Sequence, residues 1–95
     1  MFIRVQPCPD TYAIIDAEII TYITVKKLSK GAEVVVNEEN LLAEDLGFKY
    51  IGKIYLNCSE TVLNHLFKTL EEAQQFMELV ESTKRLNNGN RTNNN

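Results

Sequence analysis

One histidine, two cysteines and one run of carboxylates are the side chains of this 95-residue chain whose types could support catalysis, metal binding or thiol chemistry. His65 falls in an extended run from Thr61 to Phe67, in phase with Leu63 and Phe67, so it points toward one sheet face or its margin. Proton transfer would need a group to orient the ring, and a metal would need further ligands. Cys8 and Cys58 match no zinc-ligand spacing, so the expected role of His65 is structural. Cys8 is held between Pro7 and Pro9. A reactive thiolate needs a basic neighbour or a helix N-terminus, and only Arg4 is near it in sequence. With no secretory signal, both cysteines are expected to be free thiols. The chain has no glycine-rich phosphate loop, Ser/His/Asp set or EF-hand loop, so the expectation is a non-enzyme with no metal and no cofactor.

Charge suggests partners more than reactions. Glu38, Glu39, Glu44 and Asp45 place four carboxylates within eight residues, which fits either a solvated face or a surface that grips a basic partner or mimics phosphates. The formal net charge is −3, and Lys26, Lys27 and Lys30, interrupted by Leu28, read as a solvated hairpin tip. Duplex nucleic acid is therefore not an expected partner. The N-terminus has Arg4 and two prolines in place of an apolar signal core, and no apolar run approaches membrane-spanning length. The expected setting is cytoplasmic, without membrane contact.

The element most clearly marked is a helix over Thr69–Arg85. Thr69 and Glu72 have capping-box spacing, and Leu70, Ala73, Phe76, Met77 and Val80 form one apolar stripe, as a cover for a sheet would. Asn87, Asn88 and Gly89 are expected to stop it, leaving 87–95 as a disordered Asn-rich tail beyond a single domain, 1–86. Leu79 and Leu86 lie together off the stripe. They are scattered surface residues or the edge of a second contact.

Upstream the chain reads as sheet. Pro7 and Pro9 end a first extended run or make it an edge, and Tyr12–Ile15 resumes it. Of the seven residues from Ile19 to Val25, six are β-branched and the other is Tyr22, which favours strand. Strict alternation would put Ile19, Thr21, Ile23 and Val25 on one side and Ile20, Tyr22 and Thr24 on the other. Ser29-Lys30-Gly31 supplies a hairpin turn to a strand over 32–37. Residues 37–47 read as a short acidic helix or helical loop, ended by Gly47. From Phe48 to Asn57 the alternation is that of a strand in which Gly52 marks a bend or bulge. Tyr12, Tyr22, Tyr50 and Tyr55 all lie on strands, where their rings suit core margins or an interface.

The order IIDAEIITYIT, KIYLN, a turn, an extended run and FKTLEEAQQFMELV resembles the small flagellar FlbD-like proteins and related short bacterial β-meander proteins. That resemblance implies a small β-sheet domain with a C-terminal helix and carries over no catalytic residues. The chain departs from it by the added segment from Asn37 to about Ile51.

The fold expected is α+β: a small antiparallel sheet of about five strands, covered on one face by the C-terminal amphipathic helix, with a short acidic helical insertion near 38–46. Because the central strands are apolar on both sides, the uncovered face needs a second copy or another protein. The expectation is a non-enzymatic interaction or regulatory module, self-associating as a dimer, with Ile20 and Tyr22 and also Leu79 and Leu86 as candidate interface residues, and Glu38, Glu39, Glu44 and Asp45 as a candidate surface for an unidentified protein partner. The alternative is an inhibitory protein of phage or plasmid type, sequestering a small polar ligand or using acidic mimicry against a host factor.

Overall fold

The computed structural model describes residues 1–57 and 59–93, with the backbone alone for 86–93. Strands β1 (Phe2–Cys8) and β2 (Thr11–Asp16) form an antiparallel hairpin across Pro9-Asp10. The ladder slips between Val5 and Cys8, where Pro7, which has no amide proton, sits in the irregularity. A 3-10 turn, Ala17–Ile19, follows; the Asp16 carboxylate caps it by accepting from the Glu18 amide. Strand β3 (Ile20–Lys27) pairs with β6 (Tyr50–Leu56), and β6 with β7 (Val62–Phe67), giving an antiparallel sheet in the order β3-β6-β7. Between β3 and β6 lies a separate hairpin, β4 (Glu33–Val36) and β5 (Glu39–Leu42). Helix α1 (Leu70–Asn93) closes the chain.

The α+β class and the closing helix agree with the sequence reading, but the described residues form seven strands in three small sheets, where about five in one were expected. The acidic segment differs most. Residues 38–46 are a turn residue, strand β5 and a 3-10 turn over Glu44–Leu46 ending at Gly47, whose φ is 87°. The reason lies in the two residues joining β4 to β5. Asn37 and Glu38 have φ of 52° and 69°, the left-handed pair that matches strand twist in a two-residue hairpin. Glutamate in the second place hides this turn from a reading keyed to Asn-Gly.

Two apolar clusters hold the chain together. The larger joins Ile3 and Val5 of β1, Ile20 of β3, Ile54 of β6, Phe67 of β7 and Ala73, Phe76 and Val80 of α1. Registers place Ile23, Ile54 and Leu63 side by side on the helix-covered face, with Val25, Gly52 and His65 in the next row. Gly52 is required there: a Cβ would lie 2.9 Å from the Phe67 ring. The smaller cluster is on the opposite face, where Leu66 packs with Ala43 and Phe48, flanked by Ile51, Val34, Leu46 and Leu28. The β4–β5 hairpin thus covers part of the face that α1 leaves open.

Helix α1 begins as its sequence marks it. The Thr69 hydroxyl accepts from the Glu72 amide at 3.1 Å, while Glu72 reaches one residue further than expected and accepts from the Lys68 amide at 3.1 Å. The buried stripe is Ala73, Phe76, Val80 and Thr83, with the Thr83 hydroxyl donating to the Leu79 carbonyl at 2.8 Å. Leu70 and Met77, expected in it, are exposed. The helix runs past the expected stop at Asn87–Gly89: no proline follows Pro9, and asparagine and glycine weaken a helix without blocking it sterically. Of the disordered tail expected over 87–95, the backbone of 87–93 is part of α1, while 94–95 and the side chains of 87–93 lie outside the described residues.

The left-handed Glu38 gives a direct test of the β4–β5 turn. Relieving its backbone by Glu38→Gly recovers about 1–2 kcal/mol of strain, less about 0.4–1 kcal/mol for the freer unfolded glycine. The expected net gain is about 1 kcal/mol, or roughly 4–8 °C in thermal midpoint for a domain of this size. An unchanged or lower midpoint would contradict the turn geometry.

Candidate functional site

His65 occupies the seam between two sheets. Strand β1 runs beside β7, and at the irregularity in β1 the Gln6 amide donates to His65 Nδ1 at 3.0 Å. The ring also packs edge-on against Phe76, with centroids 4.5 Å apart, and against Phe67 at 4.3 Å. Accepting at Nδ1 requires an unprotonated nitrogen there, so the neutral ring carries its proton on Nε2. The pKa lies below its ordinary value of 6.5, chiefly because burial disfavours the charged ring; this outweighs upward pulls that include the Glu72 carboxylate. The geometry makes His65 a stitch between β1 and β7.

The expected pairing of Ile20 with Tyr22 on one open face is not formed. Ile20 opposes Leu56 and Tyr22 opposes Tyr55, so Thr21 is an extra residue in β3 and the side-chain phase changes across it. Ile20 is 1% exposed in the main core beneath α1, while Tyr22 is 53% exposed on the other face. Lys84 of α1 donates to the Ile20 carbonyl at 2.7 Å, which satisfies a backbone oxygen at the bulge. Tyr22 stacks on Tyr55 with centroids 4.2 Å apart and planes 11° from parallel. Val62, which opposes Tyr55 in the ladder, is 38% exposed beside them. Sequence reasoning missed Tyr55 and Val62 as neighbours of Tyr22. The alternation of β6 and β7 assigns their face, but only the bulge puts Tyr22 there with them.

The other candidates are dispersed. Glu38 and Glu39 lie at the hairpin tip, while Glu44 and Asp45 lie in the 3-10 turn beyond the far end of β5, so the four carboxylates do not share a helix face. The tip is anchored by the Asn37 amide, which donates to the Asp10 carboxylate at 3.1 Å. Leu79 is 53% exposed; the side chain of Leu86, its expected neighbour, lies outside the described residues. Cys8 is a half-buried free thiol, and Cys58 lies outside the described residues. Among the described residues no group of three His, Cys, Asp or Glu side chains could hold a metal ion, and no helix is long and apolar enough to cross a membrane.

The lowered pKa of His65 predicts a pH dependence. The unfolded ring titrates near 6.5 and the folded ring below it, so between these values the unfolded chain binds more protons. This contribution to stability is whole above pH 6.5 and is lost as pH falls through the folded-state pKa. Urea midpoints should fall between about pH 7.5 and 5.5 in the wild type and fall less in His65→Gln. Equal falls in the two proteins would remove His65 from the account. Comparison of the chain with family models, with curated proteins and with solved structures gives no match.

Proposed function

We propose that this chain is a small non-enzymatic interaction module that self-associates as a dimer through the open part of the β3-β6-β7 sheet. The observation that supports it is the stacked Tyr22–Tyr55 pair, standing with Val62 on the part of the face that neither α1 nor the β4–β5 hairpin covers. Burying a large apolar side chain is worth about 1.5–3 kcal/mol, and tyrosine suits an interface because its ring is apolar and its hydroxyl stays wet. Two rings locked in a stack have already lost rotamer freedom, so less ordering is left for association. Lys53 and Asn64 lie on the same face and supply a polar rim. The proposal keeps Tyr22 from the sequence-based interface and removes Ile20 from it. It uses the FlbD-like resemblance only as a precedent for a short β-domain closed by a helix. Acidic mimicry is less well supported, because the carboxylates stand at two ends of one strand.

Sedimentation equilibrium at tens of micromolar protein tests the reading. Wild type should run as a dimer and Tyr22→Lys as a folded monomer. A wild-type monomer would end the proposal, and a dimer indifferent to Tyr22→Lys would move the interface elsewhere, with Leu79 the next surface to substitute.

A further inference from the structure

A second surface, away from the tyrosine pair, has the makings of a ligand site. The β3–β4 turn and the segment from Ala43 to Lys49 enclose a groove of about 530 Å³. Its walls carry Lys27, Lys30 and Lys49, and its apolar lining comes from Leu28, Ala43 and Phe48. This volume falls within the range of small-molecule sites. Among the described residues the ion pairs are Met1 with Asp16 and Glu81 with Arg85, so none of the three ammonium groups is neutralised by a carboxylate of the chain. A further lysine, Lys68, holds its ammonium 5.7 Å from the centre of the Phe48 ring.

Backbone hydrogen bonds fix the segments that line the groove. The Leu28 amide donates to the Lys49 carbonyl at 2.8 Å, tying one wall to the other, and the Ala43 carbonyl accepts from Leu46 at 3.1 Å and from Phe48 at 3.0 Å. Gly31 and Gly47, with φ of 83° and 87°, make the reversals on either side. A lysine-walled cleft with a preformed apolar floor selects a ligand that is anionic at one end and apolar or ring-shaped at the other. Inorganic phosphate would leave the floor unused, and an uncharged ring would leave the ammonium groups unused. Glu44, the carboxylate that the described residues place on the rim, disfavours ligands with charge spread over their whole surface and offers an acceptor to a hydroxyl or amino group. We propose that this groove binds a phosphomonoester of mononucleotide size, its phosphate held by Lys30 and Lys49 and its ring laid toward Leu28 and Phe48.

The test is amide NMR titration of the wild-type chain at low salt with AMP, UMP, phenyl phosphate, adenosine and inorganic phosphate, each to about 1 mM. At least one of the three phosphomonoesters should shift the Ser29, Ala43 and Phe48 signals in a saturable way. It should bind about tenfold or more tighter than adenosine or inorganic phosphate, and weaken as salt screens the lysines. The double variant Lys30→Gln/Lys49→Gln, both positions exposed, should keep the wild-type amide spectrum elsewhere and lose about tenfold or more in affinity. Shifts confined to other parts of the chain, no saturable shift with any phosphomonoester, phosphate binding as tightly as the best ester, or unchanged affinity in the double variant would each overturn the assignment. Dimerisation through Tyr22 and Tyr55 is read separately by sedimentation, so failure of one proposal leaves the other standing.

Discussion

A single extra residue, Thr21, decides which side chains of β3 belong to the core and which to the surface. Ladder pairing has a period of two, so one inserted residue moves everything beyond it to the opposite face. Before the insertion Ile20 opposes Leu56 and packs under α1; after it Tyr22 opposes Tyr55 on the open face while Ile23 returns to the core beside Ile54. An unbulged β3 holding Ile23 and Val25 where they are would turn Ile20 out of the core and leave Ile54 and Val80 short of a neighbour. The bulge has a cost in an unpaired backbone group, and Lys84 offsets part of it by donating to the Ile20 carbonyl. The position of α1 and the exposure of the tyrosine pair are therefore set at the same place.

The second irregularity works in the same way on the other side of the sheet. Pro7 cannot serve a ladder, and where β1 slips the Gln6 amide turns to His65 for an acceptor. One side-chain hydrogen bond then stands where a row of backbone bonds would join two neighbouring strands. Its aromatic surroundings, Phe67 and Phe76, belong to the main core, so the seam is packed as well as hydrogen-bonded. Gly52 belongs to the same arrangement: it opposes His65 in the ladder and leaves the space that the Phe67 ring occupies.

What could be read from the sequence was what depends on local pattern. The cap at Thr69, the stripe through Ala73, Phe76 and Val80, and the alternation of Gly52, Ile54 and Leu56 against Ile51, Lys53 and Tyr55 all follow from short-range spacing. Gly31 does turn the chain with positive φ, but the hairpin expected across Ser29-Lys30-Gly31 does not form: β3 pairs with β6, and β4 pairs with β5. What could not be read depends on exceptions to spacing. A bulge at Thr21 has no composition signal, since threonine suits a regular strand equally well, and so Ile20 was placed beside Tyr22. The turn at Asn37-Glu38 uses glutamate where glycine is usual, so the spacing of β5 reads as a short helix or helical loop. The lysine groove is assembled from the β3–β4 turn and the segment after β5, which are brought together by the Leu28–Lys49 bond, a contact no local motif foretells.

Nuclear Overhauser contacts in solution report the phase change across Thr21 directly. Methyl contacts of Ile20 with Val80 or Phe76, together with ring contacts of Tyr22 with Tyr55, are the predicted pattern. Ile20 and Tyr22 contacting the same set of side chains, on either face, would mean that β3 is regular and that the separation of core from exposed face drawn here is wrong.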